Sequence, residues 1–213
     1  LSGADLSGSD IASADLTNTR LRYANLFGTN LMGVKLVGAD LEGANLIDAD
    51  LYHANLSCAN LAFADLSNAN LVLADLSGAD LTGANLTNSK LIGAKLPGAN
   101  LTSAVLSGAD LKGADLTGAN LECADLVGAK LFVASLGNAN FFAAKLKNAY
   151  FKHADLTNAV LTGADLSGAD LTGANLQGAN MMSANLIGAN LASAVLSGAD
   201  LTYTKMPDGT VHD

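Results

Sequence analysis

The chain has 213 residues, of which 20 are acidic and 11 basic, for a formal net charge of −9. Half of them are hydrophobic, yet Trp is missing, Tyr and Phe number only 4 and 6, and Gly outnumbers Pro 22 to 2. So aliphatic a composition excludes a disordered chain, two Cys exclude a disulfide framework, and a pI near 4.5 excludes broad affinity for nucleic acid, which needs clustered positive charge.

From Leu1 to Met206 every fifth residue is apolar, 42 in succession, mostly Leu with Ile11, Phe141, Phe151, Met181 and Met206. Two residues before each of these centres stands a small residue, nearly always Ala; just before it stands Asp or Asn, and two after it often Gly. An α-helix cannot use this spacing, because five residues advance about 500° and successive Leu side chains spiral around the axis. A straight strand fails too, since an odd period sends alternate Leu to opposite faces. The period fits a short extended segment followed by a bend, with Ala and Leu turned inward together, Asp/Asn turned outward, and Gly at the corner. The fold class is therefore all-β, a solenoid whose coils pair in parallel.

Charge gives the coil length independently. Among the residues that precede the centres, Asp stands over Asp five, five and four times at separations of 5, 10 and 15, close to the random value, but never at 20. Opposite charges are instead common at 20, as in Asp15/Lys35, Arg20/Asp40, Lys90/Asp110 and Lys95/Asp115. Like charges in neighbouring strands, about 4.8 Å apart, repel. One coil is thus twenty residues and four sides, and residues 1–206 make a rod about 50 Å long. Residues 76–111 and 166–201 match at 26 of 36 positions, which divides this array into two related halves offset by 90 residues, or four and a half coils.

Runs such as ADLSGADLTGANL, residues 74–86, match the A-(D/N)-L-x-x motif, and the chain resembles the pentapeptide repeat family over nearly its whole length, cyanobacterial members included. The resemblance implies a right-handed, quadrilateral parallel β-helix with stacked Leu and Ala inside. The tail, residues 207–213, resembles the ending of cyanobacterial members; Val211 keeps the pentad frame, so a last turn capping the open end is expected.

No chemistry emerges from the remaining residues. His53 and His153 lie five coils apart, about 24 Å, too far to share a metal, and Cys58 and Cys123 fall on different sides of distant coils. The Asp recur at a repeat position on a convex rod that offers no water-excluding cleft. Ser77, Thr82, Thr87 and Thr172 have no His to activate them, and the G-A-D triplets lack the strand–loop–helix setting of a phosphate loop. Neither an enzyme nor a cofactor is expected.

Departures from the polar exterior are the candidates for function. Following the centres of one side, Met32, Tyr52, Val72 and Ile92 should stack into an exposed apolar ladder, with Leu73 and Val133 at its edge; Phe27 and Ile47 stack on the adjoining side. Between Asp125 and Asp155 there is no acid, but Lys130, Lys145, Lys147 and Lys152 are interleaved with Phe132, Phe142 and Tyr150, a basic aromatic collar suited to an acidic partner. Cross-strand packing of the ladder and simple solvation of the collar compete with these readings. The expectation is a non-catalytic scaffold that presents rigid sides to an unidentified protein partner, without direct nucleic-acid or membrane contact, as a monomer or weak homodimer. The family resemblance also implies an alternative, a DNA mimic that binds type II topoisomerase (gyrase). Against it, −9 over about 50 Å is one charge per 5–6 Å, whereas DNA carries one per about 1.7 Å. The longest uncharged run, between Asp170 and Asp200, is broken by five Asn or Gln and is no membrane span. A cytoplasmic location is expected, with a lumenal or periplasmic one left open because the chain begins at Leu1 and not Met.

Overall fold

The computed structural model describes residues 1–213 as a four-sided parallel β-helix. Residue n pairs in parallel with residue n+20 along the whole rod, from Asp5 with Asn25 to Asn185 with Lys205, including Asp15 with Lys35. Between paired residues the chain turns through the centre and the three residues after it. Ala24 N–H donates to Leu21 C=O at 3.0 Å, for example, and this closes one such turn. The third turn residue has positive φ in all 41 pentads and the second in none, which defines a type II turn.

Gly, frequent at that third position, suits the positive φ, but 21 of the 41 residues there are not Gly and adopt it all the same. Asn is common, and it tolerates the left-handed region; Val133 at φ 50° and Leu73 at φ 58° are costly. Repetition sustains them, because each turn is clamped by hydrogen bonds to the coils on either side.

The backbone bonding of one pentad explains its sequence. Tyr23 N–H donates to Glu42 of the next coil (2.9 Å), Asn25 N–H to Ala4 of the previous one (2.9 Å) and Leu26 N–H to Asn45 of the next (2.7 Å). With Ala24 closing the turn, one donor per pentad is left over, the N–H just after the centre. The Asp or Asn just before the centre accepts it, as Asn25 Oδ1 does from Phe27 N–H at 3.3 Å. All 29 Asp and Asn at that position act in this way. Where a different residue stands there, the donor has no backbone or Asx acceptor, and both prolines of the chain occupy such sites, Pro97 after Lys95 and Pro207 after Lys205. Proline has no N–H to satisfy and suits the second position of a type II turn.

Inside, the centres from Leu21 to Leu186 and nearly all the small residues between them are inaccessible to solvent. Phe141 and Phe151 share one coil and meet edge to face at 6.4 Å between ring centres. Two core hydroxyls bond carbonyls of the coil before, Thr29 to Leu6 at 2.9 Å and Thr204 to Met181 at 2.7 Å.

The tail folds back on the last coil, but not as a further pentad. Val211 does not fill a centre; it is exposed and pairs antiparallel with Lys205. A turn at Met206–Gly209 reverses the chain, with Asp208 accepting from Thr210 N–H at 3.0 Å. The returning segment accepts from Tyr203 N–H through His212 (2.7 Å) and from Met206 N–H through Thr210 (2.7 Å), taking the place of a next coil on one side of the rod.

Asn100 accepts the N–H and hydroxyl of Thr102 and donates to Asp80 and Thr82, whereas Lys95 precedes a proline. Asn100→Ala is therefore expected to cost about 1–2 kcal/mol, and Lys95→Ala less than about 0.5 kcal/mol, both measured by chemical denaturation.

Candidate interaction surface

The outward side chains form vertical columns, one residue per coil. The polar columns are ordered by the same capping bond. With Oδ1 committed to the N–H two residues on, the Nδ2 of an Asn points back to the previous coil and donates to the residue beneath. Asn25 reaches Asp5 at 2.9 Å, Asn70 reaches Asp50 at 2.8 Å and Asn185 reaches Asp165 at 3.0 Å. The opposite charges found at separation 20 are all paired strands, but only Lys35–Asp15 (3.7 Å) and Lys145–Asp125 (3.9 Å) among them form ion pairs. Arg22 makes the closest pair, with Glu42 directly above it in the next coil at 2.6 Å, and reaches sideways to Asp40 at 3.6 Å. Such exposed pairs contribute little.

Met32, Tyr52, Val72 and Ile92 do occupy one column, continued by Lys112, Phe132 and Lys152. Successive members are joined through the turns, Gly33 N–H to Tyr52 C=O (2.8 Å), Leu73 to Ile92 (3.0 Å), Gly113 to Phe132 (2.9 Å) and Val133 to Lys152 (3.0 Å). The column thus follows a turn and forms a ridge on the rod, with Leu73 and Val133 beside it as the third turn residues. Met32, Ile92, Leu73 and Val133 are exposed, Val133 by 53%, while Tyr52, Val72 and Phe132 are half-buried. Tyr52 meets His53 edge to face at 4.8 Å.

The four collar lysines divide between two places. Lys130 and Lys152 flank Phe132 on the ridge, where the Tyr150 ring stacks on Phe132 at 5.5 Å. Lys145 is engaged by Asp125, and Lys147 belongs to the neighbouring column with Val127. At three ridge pentads Lys90, Lys130 and Tyr150 displace the capping Asp or Asn, so the N–H groups of Ile92, Phe132 and Lys152 have no acceptor within the chain.

Reading outward positions from the residue after the centre overlooked Tyr23, Phe63 and Tyr203, about two-thirds exposed and third in their turns. The Tyr23 and Phe63 rings lie over Gly43 and Gly83 of the next coil; a Cβ at Gly43 would stand 2.5 Å from the Tyr23 ring. Their sequence signal is an aromatic residue in the glycine position with Gly twenty residues on.

Cys58 and Cys123 are exposed thiols, and no helix is long and apolar enough to cross a membrane. The carboxyls that titrate away from their ordinary value belong to the caps. Asp15, Asp170, Asp200 and Asp208 are held low, first by the hydroxyl of the Thr two residues on and then by its N–H; the hydroxyl distances are 2.5–2.7 Å. Because the folded state lowers these pKa values, their stabilisation is complete above the unfolded value near 4 and is lost as pH falls through the lower folded values. The melting temperature should be level from neutral pH to about 5 and decline below about 4. Thr172→Val should raise the Asp170 midpoint in an NMR titration; an unmoved midpoint contradicts this origin of the shift.

Comparison with known proteins agrees with this geometry. A profile described as Pentapeptide repeats matches in eight copies, at residues 1–36, 24–61, 35–71, 59–98, 69–108, 94–132, 134–173 and 179–208. No curated protein sequence matched. Among solved structures, the chain is similar to HetL, a pentapeptide repeat protein involved in heterocyst differentiation regulation in the cyanobacterium Nostoc sp. strain PCC 7120. The two are 38% identical, with a TM-score of 0.53, over 100% of this chain and 89% of HetL. It is also similar to QnrB1, a plasmid-mediated fluoroquinolone resistance protein, at 21% identity and a TM-score of 0.48, over 92% of this chain and 90% of that one.

Proposed function

Because the chain belongs to the pentapeptide repeat family, whose fold is the right-handed quadrilateral β-helix, we propose that it is a non-catalytic interaction protein and that the ridge through Met32, Tyr52, Val72, Ile92 and Phe132 is its contact surface for another protein chain. The observation that carries this reading is the coincidence of three departures on one ridge. Large apolar side chains are exposed there, Leu73 and Val133 occupy turn positions that disfavour them, and three capping residues are given up for Lys or Tyr. A rod requires none of these. Contiguous exposed apolar surface marks contact sites, and rigid stacking presents it without ordering cost at binding. Lys130 and Lys152 would steer an acidic partner to the ridge, with Lys145 and Lys147 adding to the field beside it.

The gyrase-binding alternative needs a continuous acidic surface. Residues 90–152 carry seven Lys against four acids, which interrupts such a field in the middle of the rod.

Replacing Tyr52 and Ile92 together by Lys should leave the circular dichroism spectrum and melting temperature nearly unchanged. Affinity capture from the source cell with the wild-type chain should retain a protein that the double variant loses. Equal capture by both chains contradicts the ridge as the contact surface.

A further inference from the structure

The charge of the chain is banded. It is −7 over residues 1–89, +3 over 90–152 and −5 over 153–213, which together give the −9 of the whole. A surface with both signs along its length can complement itself. We propose that the ridge is an interface between two copies of this chain, lying side by side and antiparallel about a two-fold axis. The inference rests on the ridge being a contact surface and specifies the partner.

A two-fold axis perpendicular to both rods leaves each column facing its counterpart and reverses the order of the coils. With the axis between the turns of Gly93 and Gly113, Lys90 of one copy faces Asp110 of the other, and Lys95 faces Asp115. Each pair occurs twice by symmetry. In the same register Val72 faces Phe132, and Leu73 faces Val133, so the two aliphatic side chains exposed at disfavoured φ cover each other. The Lys152 amine comes over the Tyr52 ring, a cation–π arrangement. Gly93 and Gly113 meet at the axis, where neither has a side chain to hold the two backbones apart.

Charge selects this register. It brings no two acids and no two lysines face to face on the ridge or its flanking columns. Sliding one copy by a single coil in one direction sets Lys90 on Lys90 and Lys95 on Lys95. Sliding it in the other sets Lys90 on Lys130 and Asp75 on Asp155. Like charges in contact penalise both alternatives.

Sedimentation equilibrium tests the proposal. The wild-type chain should pass from 21.4 kDa to twice that mass with rising concentration, and less readily in high salt. K90E/K95E and D110K/D115K should each dimerise at least tenfold more weakly alone. Mixed together they should form a 1:1 heterodimer, because each restores the opposite charge to the other across the axis. Val133→Gly, which removes a contact and relieves the backbone, should also weaken association while the melting temperature holds or rises. A wild-type chain that stays monomeric to about 1 mM, charge variants that associate as well as the wild type, or a mixture that fails to associate when the wild type does would each overturn the interface. A monomeric wild type that still captures a different protein through Tyr52 and Ile92 would remove the second copy as partner and leave the ridge as a contact surface.

Discussion

The structure depends on the disposal of a single backbone donor in each pentad. A coil of tight turns stacked on identical coils pairs four of its five N–H groups automatically. The fifth, just after the apolar centre, points away from every carbonyl. Leaving it without an acceptor forty times over would burden a chain whose net stability is small. A short side-chain acceptor just before the centre solves this, and only Asp and Asn have an sp² oxygen at the right reach. The alternative is to remove the donor, as at Pro97 and Pro207.

That bond also orders the exterior. Once Oδ1 is committed forward, an Asn carries its Nδ2 toward the coil below, and Asn-over-Asp pairs such as Asn30 on Asp10 (3.0 Å) run in one direction along the rod. Where Asp stands above Asn, as in Asp50 above Asn30, strand pairing continues but the side chains make no such bond. A direct ion pair is the lesser device, present at three of the stacked opposite charges, Lys35 over Asp15, Lys145 over Asp125 and Glu42 over Arg22.

Much of this was legible in the sequence, for physical reasons. A five-residue period allows neither a helix nor a flat strand, and the absence of Asp over Asp at separation 20 reports the 4.8 Å spacing of neighbouring coils. Beyond the repulsion avoided there, Asn serves as a donor to the coil below and the carboxylate as a cap. The backbone bonding, which the sequence does not display, sets both roles. That a turn clamped from both sides holds Leu73 and Val133 at positive φ is a matter of the same bonding. Tyr23 and Phe63 escaped notice because they stand at the glycine position, where no large side chain is expected. Val211 kept the pentad frame but lost the pentad fold, because Pro207, Asp208 and Gly209 form a reversing turn that ends the solenoid. The candidate ridge could be located from the register alone; its turn geometry, its missing caps and the division of the lysines could not.

The central claim concerns individual amides, and residue-resolved hydrogen exchange tests it most directly. The N–H groups of Arg22, Ile92, Ser107, Phe132 and Thr162, which follow the centres of uncapped pentads, should exchange markedly faster than those of Thr82, Thr102 and Thr172, which occupy the same place in capped ones. Equal protection of the two sets, or faster exchange in the capped set, would contradict the capping bond as the reason for Asp and Asn in this sequence.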